Sequence, residues 1–150
     1  LAAFNVRGAQ LVCRDFVERS IEGERLDGGG RSQVAVRVAN VLSYTVLKIF
    51  AFQDGHENKD AYDLVFTLLH FEGGPGAALG LGLGVPAGQH PQVIAALKLL
   101  QERFRDDQQD APRAYASFLG IPGDEDEKAR LRQEAVATVR AFLRSFHGDP

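Results

Sequence analysis

Between positions 41 and 53 the chain is apolar on nearly every side, with Val41, Leu42, Tyr44, Val46, Leu47, Ile49, Phe50 and Phe52. A surface helix carries one apolar stripe, whereas a helix that is apolar all round is enclosed by other elements. The run therefore predicts a central, buried helix, and the rest of the chain must supply its walls. Asn40 stands where an N-cap belongs, and Asp54-Gly55-His56 ends the run.

Those walls are predicted to be mostly helical. A second helix over 58–71 places Ala61, Leu64, Val65, Leu68 and Phe71 at helical spacing, and Glu72-Gly73-Gly74-Pro75 stops it. Pro91 opens a helix to about position 106 with Val93, Leu97, Leu100 and Phe104 on one face. A short helix is expected over 114–119. The acidic run Asp124-Glu125-Asp126-Glu127 then suits the start of a last helix, because the helix dipole favours negative charge there. Leu131, Ala135, Val139, Phe142, Leu143 and Phe146 form its stripe. Residues 73–88 are glycine-rich, with a weak turn expected around 77–83.

Residues 1–39 read as β-rich. Val34, Val36 and Val38 alternate with Ala35 and Arg37, the period of a half-buried strand. Asp27-Gly28-Gly29-Gly30 permits a reversal, which predicts a hairpin with strands over about 15–22 and 33–39. A lone hairpin is marginal in water, so it must lean on the helices or on a further sheet. The fold class is thus α+β and mostly α: an N-terminal hairpin over 1–39 and a helical bundle over 40–150, together one unit.

Composition sets the outer limits. The 150 residues, 45% hydrophobic and 25% charged, suit one globular domain rather than a disordered chain. A net charge of −3 gives no global attraction to nucleic acid or anionic lipid. The single Cys13 excludes an internal disulfide and suits a reducing cytoplasm. The uncharged apolar run at 41–47 is far short of the ~18 residues of a membrane span. Methionine is absent and the first residue is Leu1, which leads us to expect a piece of a longer protein.

Lys48 is the one charge between positions 40 and 53. An unpaired ammonium on a buried helix costs several kcal/mol, so it needs a partner, an anion in a cleft, or a route past the helix edge to water. Asp60 and Asp63 lie three apart on one face of the next helix. They have three readings: a divalent-cation pair, a partner for Lys48, or helix-start stabilisation by Asp60 with a Lys59–Asp63 pair. Other motifs carry less. Gly82-Leu83-Gly84-Val85-Pro86-Ala87 formally fits G-x-G-x-x-A but follows no strand and contains a proline. His56, His70, His90 and His147 show no metal spacing and read as surface residues, and Cys13 reads as a buried or spectator thiol. Arg103, Arg105, Arg130, Arg132, Arg140 and Arg144 are spread among acids along the helices, which leaves a nucleic-acid face open.

Leu47-Lys48-Ile49-Phe50-Ala51-Phe52, followed by Lys59-Asp60-Ala61-Tyr62-Asp63-Leu64, resembles the C-terminal part of the nucleotidyltransferase-like AbiEii/AbiGii toxin family of toxin–antitoxin and phage-defence systems. The likeness is densest over 34–72. It implies that the hairpin is the end of a nucleotidyltransferase sheet. It implies that Lys48 and Lys59 bind substrate phosphate, that Asp60 is catalytic by orienting Lys48 or a metal-bound water, and that Asp63 ties the helix start to the sheet. A full-length protein would use Mg²⁺ and a nucleoside triphosphate and modify an RNA or protein acceptor. A cognate antitoxin or regulator would be a further partner, with no membrane involved. The family's Gly-Ser and Asp-x-Asp motifs are missing from this sequence, so the chain alone supplies no metal ligands and is expected to be inactive. Gly55 stands where relatives often carry a basic residue. The alternative is a non-enzymatic helical module that binds a partner protein.

Overall fold

A computed structural model describes residues 6–78 and 87–147. The architecture is α+β: a short helix, an antiparallel two-stranded hairpin, then helices to the end. Helix α1 is Ala9–Val12, β1 is Phe16–Glu24 and β2 is Arg31–Ala39. Helices α2 to α6 follow as Val41–Gly55, Asn58–Leu69, Pro91–Arg103, Asp110–Leu119 and Glu125–His147, with 3-10 turns at Pro75–Ala77 and Ala87–Gln89.

The core forms around α2. Val46, Ile49, Phe50 and Phe52 of α2 are buried with Leu64, Val65 and Leu68 of α3, Val93 and Leu100 of α4, Tyr115 of α5, and Val139 and Phe142 of α6. The buried positions of α3 are Ala61, Leu64, Val65 and Leu68, the i, i+3, i+4, i+7 stripe read from the sequence. Phe71 and Phe104 lie past the ends of α3 and α4 but still reach the core. These two helices therefore end earlier than periodicity implies, because a side chain can pack on a core from a turn as well as from a helix.

Helix α2 is not enclosed on every side. Tyr44, Leu47, Lys48 and Ala51 form a half-buried stripe at i, i+3, i+4, i+7, while the rest of the segment from 41 to 52 is buried. Helix α1 approaches this helix through Gly8, which sits at φ +85; a Cβ there would lie 3.2 Å from Leu47 Cα. This helical turn is missing from the β-rich reading of the N-terminal segment, since four residues are too few to display a period.

Helix ends follow local chemistry. Asn40 holds the N-cap backbone position of α2, but its amide donates to Asp15 Oδ1 (2.6 Å) rather than capping the helix. Asp15 is fully buried at this junction, where the positive end of the α2 dipole compensates part of its charge. His56, at φ +54, forms the left-handed C-cap of α2 and donates its N–H to Phe52 O (2.8 Å). His90 is no mere surface residue: its Nδ1 accepts from Gln92 N and caps α4. Helix α5 begins at Asp110, four residues before the expected start. Pro112 is tolerated because the N–H groups of a first turn have no helical acceptor anyway. Asp124 Oδ1 accepts from Glu127 N (2.9 Å) at the head of α6.

The hairpin departs most from expectation. Its register pairs Val17 with Val38, Arg19 with Val36 and Ile21 with Val34, so these side chains share one face. That face was expected to be half-buried, yet Ile21 and Val34 are 52% and 55% exposed. The opposite face carries cross-strand pairs, Arg37–Glu18 (3.3 Å) and Arg31–Glu22 (3.9 Å). Alternation thus specifies the strand and its apolar face, but within the described residues no layer covers that face. The G-x-G-x-x-A stretch up to Pro86 and most of the turn expected at 77–83 lie outside the described residues.

Candidate functional site

The α2–α3 connection is only Glu57 and the His56 cap, so α3 folds straight back along α2. This reversal brings Lys48 against the first turns of α3. Lys48 Nζ then lies 2.9 Å from Asp60 Oδ1 and 2.7 Å from Asp63 Oδ2. Lys59 Nζ lies 2.6 Å from the same Asp63 Oδ2, closing a four-charge cluster. Lys48, Asp60 and Asp63 side chains are 17%, 18% and 13% exposed, whereas Lys59 is out in solvent.

The geometry gives Lys48 two carboxylate partners. The ammonium does not snorkel to open water: two carboxylates hold it near the helix surface. Both acids serve as its partners, and Asp63 also pairs with Lys59 as the i, i+4 spacing predicts. Asp63 thereby ties α3 to α2. One oxygen of each acid is engaged by Lys48. No group of three His, Cys, Asp or Glu side chains suited to a metal occurs among the described residues.

Electrostatics reinforce the arrangement. Burial alone pushes the Lys48 pKa down, but hydrogen bonds to Asp60 and Asp63 outweigh it and hold the ammonium well above the ordinary lysine range. Burial pushes Asp63 up, yet hydrogen bonds from Lys48 and Lys59 leave its carboxyl below the ordinary value. Burial raises the neighbouring Tyr44 phenol, whose ring centroid is 5.7 Å from Lys48 Nζ. Lys48 therefore stays charged throughout the physiological range. Two of its three donors are taken by the acids, leaving the third. Two ammoniums and two carboxylates sum to no net charge, so a phosphate here would gain from a direct hydrogen bond rather than from a long-range field.

The arginines divide between separate places. Arg103 links α4 to α2 and α5, donating to Gln53 Oε1 (2.8 Å) and Asp110 Oδ2 (2.7 Å). Arg105, Arg140 and Arg144 instead meet Lys98 along a cleft between α4 and α6. Reading the sequence missed Lys98; its seven-residue separation from Arg105 was the available signal. Cys13 is exposed and free. No helix among the described residues is long and apolar enough to cross a membrane.

No protein-family model matches the chain, nor does any curated protein or solved structure.

Proposed function

We propose that this chain is the C-terminal portion of a nucleotidyltransferase-like protein of toxin–antitoxin or phage-defence type, in which Lys48 donates to a phosphate of a nucleoside triphosphate. The observation that carries this reading is the meeting of the two resembling segments at one point, with Lys48 between Asp60 and Asp63. In this reading Asp60 and Asp63 fix the direction of the ammonium and keep it charged, and its third N–H meets the phosphate. Asp60 is then the positioning group nearest the chemistry, and Lys59 a second, solvent-side cation. Asp63 stands behind both lysines. Mg²⁺ would find only these two carboxylates here, with one oxygen of each already engaged by Lys48. In this proposal the ion and the triphosphate belong to a full-length protein whose own carboxylates hold the metal, and the acceptor is an RNA or a protein.

The test is transfer of labelled nucleotide by the full-length gene product. Lys48→Ala alone would strand two carboxylates, so the informative variant combines Lys48→Gln with Asp60→Asn and Asp63→Asn. We expect this triple variant to fold and lose transfer, with Lys59→Ala losing only part. Full transfer by the folded triple variant would remove the cluster from the mechanism.

A second reading, a non-enzymatic module that binds a partner such as an antitoxin or regulator, is favoured by the bare apolar face of the hairpin at Ile21, Val34, Val36 and Val38. A stable complex formed without nucleotide, and weakened by Val36→Asp, would support it.

A further inference from the structure

A cleft of about 940 Å³ runs between α4 and α6 and lies apart from the Lys48 cluster. Its floor is apolar: Leu97, Phe104, Leu143 and Phe146. Its walls are two exposed helical stripes. Ile94, Lys98 and Gln101 project from α4 with Arg105 just beyond it, and Ala137, Arg140 and Arg144 project from α6. Spacings of four and three in α4 and of three and four in α6 place each helical set on a single side.

The charge of this cleft is one-sided. Four cations line it, and no acid does among the described residues, although the whole chain carries −3. Arg105 pairs with Asp106 (3.2 Å), and Arg140 donates to Arg105 O (2.7 Å). Lys98 and Arg144 have no ion-pair partner among the described residues. A cationic rim on both walls above an aliphatic and aromatic floor calls for a ligand with an apolar stripe and acids on either side of it.

We propose that this cleft docks an acidic amphipathic helix of a partner protein. Such a helix lays residues at i, i+3, i+4 and i+7 onto the floor and turns flanking carboxylates to Lys98, Arg105, Arg140 and Arg144. Ile94 and Gln101 are seven residues apart, about 10 Å along the axis of α4, and Arg105 lies beyond them. A lipid with one headgroup would neutralise only part of that span. A nucleic acid would match the cations but leave Leu97 and Leu143 without an apolar partner. The proposal goes beyond the nucleotide reading and stands without it, since no residue of the cleft belongs to the Lys48 cluster.

The experiment is selection of helical peptides from a displayed library randomised at eight surface positions, using this chain as bait. Counter-selection uses the Lys98→Glu/Arg144→Glu variant, whose two sites are exposed and whose fold circular dichroism checks. The expected survivors carry Glu or Asp on both sides of an apolar stripe. They bind the reversed variant at least about tenfold more weakly, and added salt weakens them further. The reversed variant should in turn select Lys-rich and Arg-rich helices. Survivors without an excess of acids, or none that distinguish the two baits, would overturn the proposal. So would a uridine dodecamer that displaces the peptides more tightly than they displace one another, which would make the cleft a nucleic-acid site. Sedimentation showing the cleft occupied by a second copy of the chain would overturn it as well.

Discussion

The hairpin and the helical bundle treat the same side chain in opposite ways. Val34, on the hairpin's apolar face, is more than half exposed, whereas Val65 and Val93 are fully buried. In the bundle, apolar periodicity and burial coincide because each stripe meets another helix. In the hairpin the periodicity is just as regular, yet none of the described elements covers it. An apolar pattern therefore says which face a segment offers, and burial depends on whether a second surface arrives.

Substitutions sharpen this contrast, beginning with the largest. Leu64→Ala removes a fully buried α3 side chain from the core and should cost about 3–5 kcal/mol in urea unfolding. Val36→Ala, on the exposed face, should cost less than about 0.5 kcal/mol; equal losses would erase the distinction between the two regions. Lys48→Ala should cost about 2–4 kcal/mol, because Asp60 and Asp63 would face each other without their shared cation.

A third test is pH. Asp63 has a lowered pKa, so its contribution is present above the ordinary carboxylate value of 3.8 and fades as pH falls through the lower folded value. Asp63→Asn should remove that acid limb and cost about 1–3 kcal/mol at neutral pH. An unchanged pH profile would mean the ion pair adds nothing to stability. Tyr115→Phe should cost about 1 kcal/mol, since its hydroxyl donates to Glu134 Oε1 at 2.8 Å from a buried ring. The smallest effect has the opposite sign. Gly55→Ala, at the last position of α2, adds a Cβ that meets only Glu57 Cγ at 3.8 Å, and should stabilise by about 0.5–1 kcal/mol. Destabilisation there would show that α2 needs a glycine at its end.

Much of the bundle was legible because its helices are long enough to display a 3.6-residue period; the stripes of α3 and α6 are examples. The short α1 and the early start of α5 were not, the first for lack of length and the second because Pro112 resembles a stop. Lys48, Asp60 and Asp63 stood out as residue types in unusual places. That both acids clasp Lys48 depends on the direction α3 takes after α2, which the His56 cap sets and no spacing reveals. The α4–α6 cleft was less legible still. Six arginines were visible, but which of them converge depends on helix packing, and Lys98 joins only through the fold.

The most direct measurement is a nuclear magnetic resonance titration of this chain with ATP, following the Lys48 side-chain Hε–Cε signals against those of Lys128. The Lys48 signals should shift and saturate while those of Lys128 stay in place. The folded Lys48→Gln/Asp60→Asn/Asp63→Asn variant should not bind. Unmoved Lys48 signals, or equal binding by that variant, would contradict a phosphate role for the cluster and leave it as a tie between two helices.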